Sequence, residues 1–193
     1  MDMIGDGVGE IGDDLAAVNL GTGLTAKSVA CGQYHTCAVL SDDTLKCWGS
    51  NFEGLLGEVT TFYDEDDDND DDNDREDYTI GNGAGEMGDN LARVNLGTDR
   101  TVSTLALCAN GFTACALLDD LSVKCWGGDG ENSGVLGNGQ AAATNDYIGD
   151  GLEKDADGAD GELLQITLYS NESEMGDNLA AVNLGTGRTG WQI

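Results

Sequence analysis

The sequence predicts an all-β protein built from repeated units, and three observations lead to this fold class. Blocks of similar sequence recur in the same order along the chain of 193 residues. Short apolar runs are separated by turn residues, and few stretches show the spacing of three and four residues typical of an amphipathic helix. Glycine occurs 30 times and proline never, which excludes collagen and polyproline architectures.

Two blocks make up the repeat. The first, IGDGVGEIGDDLAAVNLGTGL at 4–24, returns as IGNGAGEMGDNLARVNLGTDR at 80–100 and in part as EMGDNLAAVNLGTGRT at 174–189. The second, YHTCAVLSDDTLKCWG at 34–49, returns as FTACALLDDLSVKCWG at 112–127. Chance does not explain two blocks that recur in the same order at nearly the same offset. The chain therefore holds two near-complete repeats and the opening of a third.

Each repeat is predicted to form three short strands. The acidic pair Asp42-Asp43 is typical of a hairpin turn between two of them. Evenly spaced short strands with one Trp-Gly pair per unit indicate the blades of a β-propeller. The predicted strands are Ala26–Ala30, Tyr34–Leu40 and Thr44–Trp48 in the first repeat and Val102–Cys108, Phe112–Leu118 and Leu121–Trp126 in the second.

These residues resemble the repeats of the regulator of chromosome condensation family. The linking segment Gly-Asp-Asn-Leu-Ala-x-Val-Asn-Leu-Gly-Thr resembles the version found in long repeat arrays of that family. The resemblance covers 4–57, 80–137 and 174–189, and it implies a seven-bladed propeller in which each repeat contributes about one blade. The matching residues of the first repeat are Gly32, Tyr34-His35-Thr36, Ala38, Asp42-Asp43, Trp48-Gly49 and Gly54-Leu55-Leu56-Gly57.

The chain departs from that pattern at single positions and in length. Thr113 stands where the first repeat has His35, and alanine stands in the linking segment where a proline would be familiar. Propellers close with four or more blades, so two blades and a stub do not form a ring. We expect a partial β-propeller whose open sheet edges allow self-association. No position matches a known catalytic loop of the family's exchange-factor member, so its functional residues are not carried over.

Composition and repeat boundaries divide the chain into five segments. We expect 1–63 to be the first repeat, 64–79 an acidic disordered loop between blades, 80–140 the second repeat, 141–173 an insertion with a strand near 162–170, and 174–193 a truncated third repeat.

Six cysteines form two equivalent sets, and each set has two members that flank a predicted hairpin turn. Cys37 and Cys47 are ten residues apart, as are Cys115 and Cys125. A three- or five-residue loop places each pair opposite across the ladder, at the ~4.5–5.5 Å Cα separation that a disulfide accepts. A four-residue loop shifts the register by one and disfavours the bond. The alternative is reduced, buried cysteines. Zinc is not expected, because there is no paired C-x-x-C and only one histidine.

Residues 64–77, DEDDDNDDDNDRED, contain eleven acids and one arginine. Such a block repels itself and is expected to be a solvated loop. The alternative is loose capture of Ca²⁺ or of a basic partner such as a histone tail, although a flexible strip lacks the cage needed for tight binding. A second acidic stretch, 155–162, is no EF-hand, because Leu164 would stand at the closing ligand position. The weak candidate metal ligands are Asp66, Asp67, Asp68, Asp70, Asp71 and Asp72.

The net charge, the lack of a long apolar run and the N-terminal sequence limit the expected partners and location of the protein. There are 37 acidic and 8 basic side chains, for a formal net charge of −29, so we expect no direct nucleic-acid binding. No run approaches 18 apolar residues, so no membrane span is expected. The start lacks a basic and then apolar leader, which predicts a cytoplasmic or nuclear protein unless the N-terminus is truncated.

The sequence contains no catalytic constellation. His35 has no partner motif, so we expect it to make a structural hydrogen bond, and we expect Trp48 and Trp126 to anchor the blade cores. No cofactor site is predicted. We therefore expect a non-catalytic interaction or scaffold module for a basic protein partner. The alternatives are a guanine-nucleotide exchange factor for a small GTPase, as the resemblance implies for some relatives, a weakly Ca²⁺-binding acidic protein, or a fragment without its own function.

Overall fold

The computed structural model describes residues 7, 10–51, 54–57, 79–108, 111–128, 134–137, 147–148 and 175–190. In these residues the chain forms two four-stranded antiparallel sheets, with short 3₁₀ turns at Gly12–Asp14, Gly88–Asn90 and Gly176–Asn178. The predicted all-β class is confirmed. None of the helices in this part of the chain has the length and apolar character needed to cross a membrane.

Both sheets are simple meanders in which the spatial order of the strands follows the chain. A small meander of four antiparallel strands is the unit from which propellers are built, so the described residues form two blades of a partial β-propeller. The first blade contains β1 (Ala26–Cys31), β2 (His35–Leu40), β3 (Leu45–Ser50) and β4 (Thr79–Ile80), and the second contains β5 (Val102–Leu107), β6 (Thr113–Leu118), β7 (Val123–Gly128) and β8 (Tyr147–Ile148).

The fourth strand of each blade was not expected from the sequence. β4 and β8 have two residues each, which is too short to show any periodicity. Because β4 pairs with β3, the acidic run 64–77 lies in chain order between two strands of one sheet. The predicted repeat boundaries place this run between blades. The strand predicted near 162–170 lies outside the described residues.

The two blades share their irregularities as well as their strands. The register shifts at the start of β1 and again at the start of β5, between Ala26 and Ser28 and between Val102 and Thr104. Gly49 of β3 has a positive φ of 108°, and a Cβ there would collide with the Tyr34 carbonyl oxygen. Gly127 repeats this close approach in β7. The Trp-Gly pair therefore needs its glycine for a backbone reason.

The main core lies between the two blades. Alternate residues of a strand point to opposite faces, so only every second side chain of β2 and β3 faces the second blade. Three segments with similar sequences are named here the first linker (11–24), the second linker (87–100) and the third linker (175–188). The second and third linkers contribute side chains to this core, and the first does not. The buried core residues are Cys37, Val39, Leu45, Cys47, Leu56, Val94, Leu96, Val102, Ala114, Ala116, Leu118, Trp126, Met175 and Leu179.

Candidate interaction surface

Each hairpin between the second and third strands has a three-residue loop. Leu40 N–H donates to the Thr44 carbonyl, and the loop residue Asp43 has a positive φ of 63°. The same arrangement closes the second hairpin, where Leu118 N–H donates to the Ser122 carbonyl and Leu121 has a φ of 67°. This is one of the two loop lengths that place the cysteines opposite each other.

The cysteines of each hairpin face each other across the ladder. Cys37 pairs with Cys47 and Cys115 with Cys125, each with a Cα–Cα distance of 4.1 Å. Both pairs are joined as disulfides in the structure. Hydrogen-bonded and non-hydrogen-bonded residue pairs alternate along an antiparallel ladder, starting from the hydrogen-bonded pair that closes each loop. Each cysteine pair therefore occupies a non-hydrogen-bonded position, where side chains approach most closely. Cys31 and Cys108 carry free thiols and are exposed.

The three linkers lie side by side and are joined by matching contacts. Asp89 of the second linker accepts hydrogen bonds from the Thr22 backbone N–H (2.7 Å) and hydroxyl (2.6 Å) of the first. Asp177 of the third linker accepts the equivalent pair from Thr98 of the second, at 2.9 and 2.5 Å. The hydroxyl donors lower the pKa of both carboxylates. A backbone hydrogen bond accompanies each of these contacts, from Gly88 N–H to the Asn19 carbonyl (3.0 Å) and from Gly176 N–H to the Asn95 carbonyl (2.9 Å).

A buried lysine from the third strand of each blade bridges two linkers. Lys46 Nζ donates to the carbonyls of Leu20 (3.0 Å) and Gly88 (2.7 Å). Lys124 repeats this bridge between the second and third linkers, at 2.9 Å to Leu96 and 2.7 Å to Gly176. Burial lowers the pKa of both amines.

Sequence reasoning missed these lysines. A signal was present, because Lys46 and Lys124 stand in alternation with Trp48 and Trp126 and so belong to the same strand face as a predicted core residue.

The remaining described lysine and most of the described arginines are held by acids of the hairpin turns. Lys27 lies 2.6 Å from Asp43, and Arg93 lies 2.8 Å from Asp42. Arg100 contacts Asp119 (3.4 Å) and Asp120 (3.0 Å). The Thr44 hydroxyl lowers the pKa of Asp42, and the Ser122 hydroxyl lowers that of Asp120. A groove of about 270 Å³ lies between the first hairpin and the second linker, and both Arg93 and Arg100 line it.

Apolar side chains are exposed on the first linker at positions that the second linker buries. Leu15 is 49% exposed, whereas its counterpart Leu91 is 4% exposed. Val18 is 54% exposed, and its counterpart Val94 is 8% exposed. The difference has a simple cause: the second linker packs on the first blade, where Val94 N–H donates to the Leu45 carbonyl. In the described residues no blade covers the first linker in this way.

The single-residue expectations have mixed outcomes. Trp126 is fully buried, as predicted for a core anchor, and its indole N–H donates to the Leu55 carbonyl at 3.2 Å. Trp48 is only partly buried. The structural hydrogen bond expected for His35 is absent among the described residues, since both ring nitrogens are buried and unpartnered. Burial lowers the pKa of His35.

Asp66, Asp67, Asp68, Asp70, Asp71 and Asp72 lie outside the described residues, as do the stretch 155–162 and the sequon 171–173. Within the part that the structure describes, no group of three histidine, cysteine or carboxylate side chains is arranged to hold a metal ion.

Two antiparallel four-stranded blades joined by docked linkers define the class of protein as a partial β-propeller. Residues 26–55, from β1 through the start of the turn after β3, match the family model of the regulator of chromosome condensation (RCC1) repeat. The resemblance expected from the sequence is therefore confirmed for this repeat, and the second blade shares its strand order and register. No curated protein sequence matches the chain.

Several solved structures resemble part of the chain. Yeast RCC1 (Prp20), solved with Kap60 bound, is 22% identical and is matched over 53% of this chain and 18% of its own, with a TM-score of 0.34. Prp20p from Saccharomyces cerevisiae, described with its binding to Gsp1p and histones, is 22% identical over 52% and 19%, with a TM-score of 0.33. Human WBSCR16 is 18% identical over 65% and 26%, with a TM-score of 0.38. The chain thus spans about a fifth to a quarter of the length of these proteins.

Proposed function

We propose that this chain is a non-catalytic protein-interaction module whose partner is basic. The proposal is based on the partners of the described lysine and arginine side chains. The formal net charge is −29, and in the described residues Lys27, Arg93 and Arg100 are paired with acids while Lys46 and Lys124 hold backbone carbonyls. Little positive charge is left to balance the acidic side chains at the surface.

Such a surface favours a partner rich in lysine or arginine. Clefts and patches of one sign raise the local concentration of opposite charge and speed association. The acidic run 64–77 adds eleven carboxylates in a single stretch of sequence. Repulsion from these charges disfavours acidic partners and nucleic acid by the same rule.

The absence of catalysis is part of the proposal. The one histidine of the chain is buried in the first blade, so its ring is not placed to exchange a proton with a substrate. A binding role needs no such group, because surface charge and shape suffice for recognition.

The test is binding of a fluorescent, lysine-rich peptide such as a histone-tail sequence, measured by anisotropy at several salt concentrations. We expect affinity to fall as salt rises, because screening weakens charge attraction. Replacing the six aspartates Asp66, Asp67, Asp68, Asp70, Asp71 and Asp72 by asparagine changes the net charge from −29 to −23 (−29 + 6) and should weaken binding further.

The control is the same peptide with every lysine and arginine replaced by glutamine. Equal binding of this control peptide, or affinity that does not respond to salt, would contradict the proposal. Accelerated nucleotide release from a small GTPase would replace it with the exchange-factor alternative. A Ca²⁺-induced rise in melting temperature at matched ionic strength would favour the Ca²⁺-binding alternative.

A further inference from the structure

The described residues contain one complete contact between blades, and this contact shows which residues are buried where two blade faces meet. Across it, Val102 N–H of β5 donates to the Asp43 carbonyl at 2.9 Å. Leu105 and Leu107 of β5 pack against the shared core. Trp126 is fully buried, and its indole N–H donates to Leu55. The second blade therefore packs β5 and Trp126 against the side of the first blade that contains Asp43 and Leu55.

The first blade has the same face, but in the described residues no blade covers it. Val29, the counterpart of Leu105, is 57% exposed. Cys31 is also exposed. By strand register it is the counterpart of Leu107 and not of Cys108, so the equivalence of these two cysteines predicted from the sequence is wrong. Trp48, the counterpart of Trp126, is only partly buried. We call these three residues of β1 and β3 the leading face.

The second blade and the third linker show the opposite half of the contact. Leu55 of the first blade is 1% exposed, whereas its counterpart Val135 is 53% exposed. Leu96 of the second linker is 5% exposed, whereas its counterpart Leu184 on the third linker is 37% exposed. We call Val135 and Leu184 the trailing face.

We propose that the leading face of one copy of this chain docks on the trailing face of a second copy and repeats the contact found between the two blades. The occupant is a second copy because the chain itself contains both halves of an interface that it completes once internally. The contact joins sheet faces and does not involve the strand edges. It is heterologous, so it propagates from copy to copy until a ring closes or a linear assembly forms.

The third linker stays in place in this assembly, whereas the first linker leaves the second, which breaks the contacts of Thr22 with Asp89 and the hydrogen bond from Lys46 to Leu20. Gly190 N–H also leaves the Leu121 carbonyl (3.2 Å), which is the counterpart of the Asp43 carbonyl that Val102 binds in the internal contact. The third linker is held by Val182 N–H on the Val123 carbonyl (2.7 Å) and by the Lys124 bridge to Gly176. Its Met175 and Leu179 are 3% exposed, whereas residues 11–18 of the first linker are exposed throughout. The third linker thus already stands where the second linker stands in the internal contact.

This self-association has the opposite salt dependence to binding of a basic partner. Two copies at −29 each repel one another, and salt screens that repulsion. Because propellers close with roughly four to eight blades, a closed ring would contain about two to four copies, each contributing the two blades that the structure describes.

The experiment is sedimentation velocity of the full chain from about 10 μM to 1 mM, the range of weak self-association, at low and high salt. We expect the mean mass to rise above 20.0 kDa with concentration, and more so at high salt. Alkylation of Cys31 should slow as concentration rises, because the leading face becomes covered, while Cys108 should react at an unchanged rate.

Two variants distinguish a heterologous contact from a symmetric one. Val29→Asp blocks the leading face and Leu184→Asp blocks the trailing face, so each variant alone should remain a monomer. Mixed in equal amounts, they should form a dimer and nothing larger, because each supplies the face that the other lacks. Cys31→Glu is a second leading-face variant, and circular dichroism and unfolding midpoints confirm that each variant is folded.

Val18→Asp is the matched control, since Val18 is 54% exposed but lies on the first linker. It should associate like the unmodified chain. The proposal is overturned by a monomer at all concentrations with a constant Cys31 rate, by association that Val29→Asp leaves intact, or by equal loss in Val18→Asp. Neither outcome of the self-association experiment decides whether the chain binds basic peptides, which the anisotropy measurements at several salt concentrations test separately.

Discussion

A buried lysine is stable in a folded protein only if its ammonium group keeps hydrogen-bond partners. Lys46 and Lys124 are 3% and 8% exposed, and each donates to two backbone carbonyls that belong to different linkers. Desolvation alone would make these positions unfavourable. Hydrogen bonds to the linker carbonyls offset the cost of burying the ammonium group. The lysine in turn supplies these carbonyls with a hydrogen-bond donor. One side chain thereby joins a blade to two segments at once.

Replacing Lys124 by methionine should destabilise the chain by about 2 kcal/mol, because two buried carbonyls lose their donor while the aliphatic volume is kept. Urea unfolding followed by circular dichroism measures the change. Lys27→Met is the control, since Lys27 is exposed and its ion pair with Asp43 should contribute less than ~1 kcal/mol. Equal losses in the two variants would show that the carbonyl bridge is not important for stability.

His35 and Thr113 occupy the same position in the two blades and satisfy it differently. Thr113 donates its hydroxyl to the Gly128 carbonyl at 2.9 Å. The His35 ring is buried and has no partner among the described residues, so its charged form is disfavoured and its pKa is lowered.

This difference predicts an acid-sensitive first blade. Because the pKa of His35 is lower in the folded than in the unfolded chain, the unfolded chain binds more protons between the two values. The stability contributed by neutral His35 is therefore complete above its unfolded pKa of about 6.5 and is lost as pH falls through the folded pKa. We expect His35→Thr to flatten the decline of the urea midpoint below about pH 6.5. An unchanged slope in the variant would exclude His35 as the cause.

At the scale of the element, the hairpin turn decides the chemistry of the cysteines. A loop of three residues places Cys37 opposite Cys47, and a loop of four would have placed Cys47 opposite Ala38. The positive φ of Asp43 closes the shorter loop, and the Asp42 side chain accepts hydrogen bonds from Thr44 at 2.7 and 3.2 Å. The turn residues thus determine whether a covalent link between β2 and β3 can form.

The hairpin pairs predict the outcome of thiol labelling. In denaturant without reductant, only Cys31 and Cys108 should react, because the other four cysteines are joined in pairs. Reduction should then lower stability by roughly 2–3 kcal/mol for each short loop opened. Mass spectrometry of labelled peptides measures the sites directly. Labelling of all six cysteines before reduction would show that the hairpins are held by the ladder alone.

At the scale of the whole molecule, charge and exposed apolar surface act in opposite directions. The net charge of −29 keeps copies apart at low salt and attracts a basic partner, whereas the leading and trailing faces favour contact between copies once the charge is screened. A basic partner would both neutralise the charge and permit assembly. The two proposals therefore predict opposite responses to the same salt series, and each can fail without the other.

Much of the fold could be predicted from the sequence because its signals are local. Turn residues at Asp42-Asp43, the alternation around Trp48 and the recurrence of both blocks predict strands, hairpins and repeat order without any distant contact. The two-residue strands β4 and β8 could not be predicted, since their pairing with β3 and β7 is made across long stretches of chain. The lysine bridges were missed for a related reason, because a lysine in a strand is ordinarily solvated.

The sequence by itself determined that this protein is an array of acidic β-repeats with cysteines on either side of each turn. Only the tertiary structure decided which of those repeated positions are buried. Leu15 and Leu91, or Trp48 and Trp126, are equivalent in sequence and differ in exposure because one member of each pair has a blade packed against it. Burial depends on neighbours in space, and a repeat carries no local record of whether its neighbour is present.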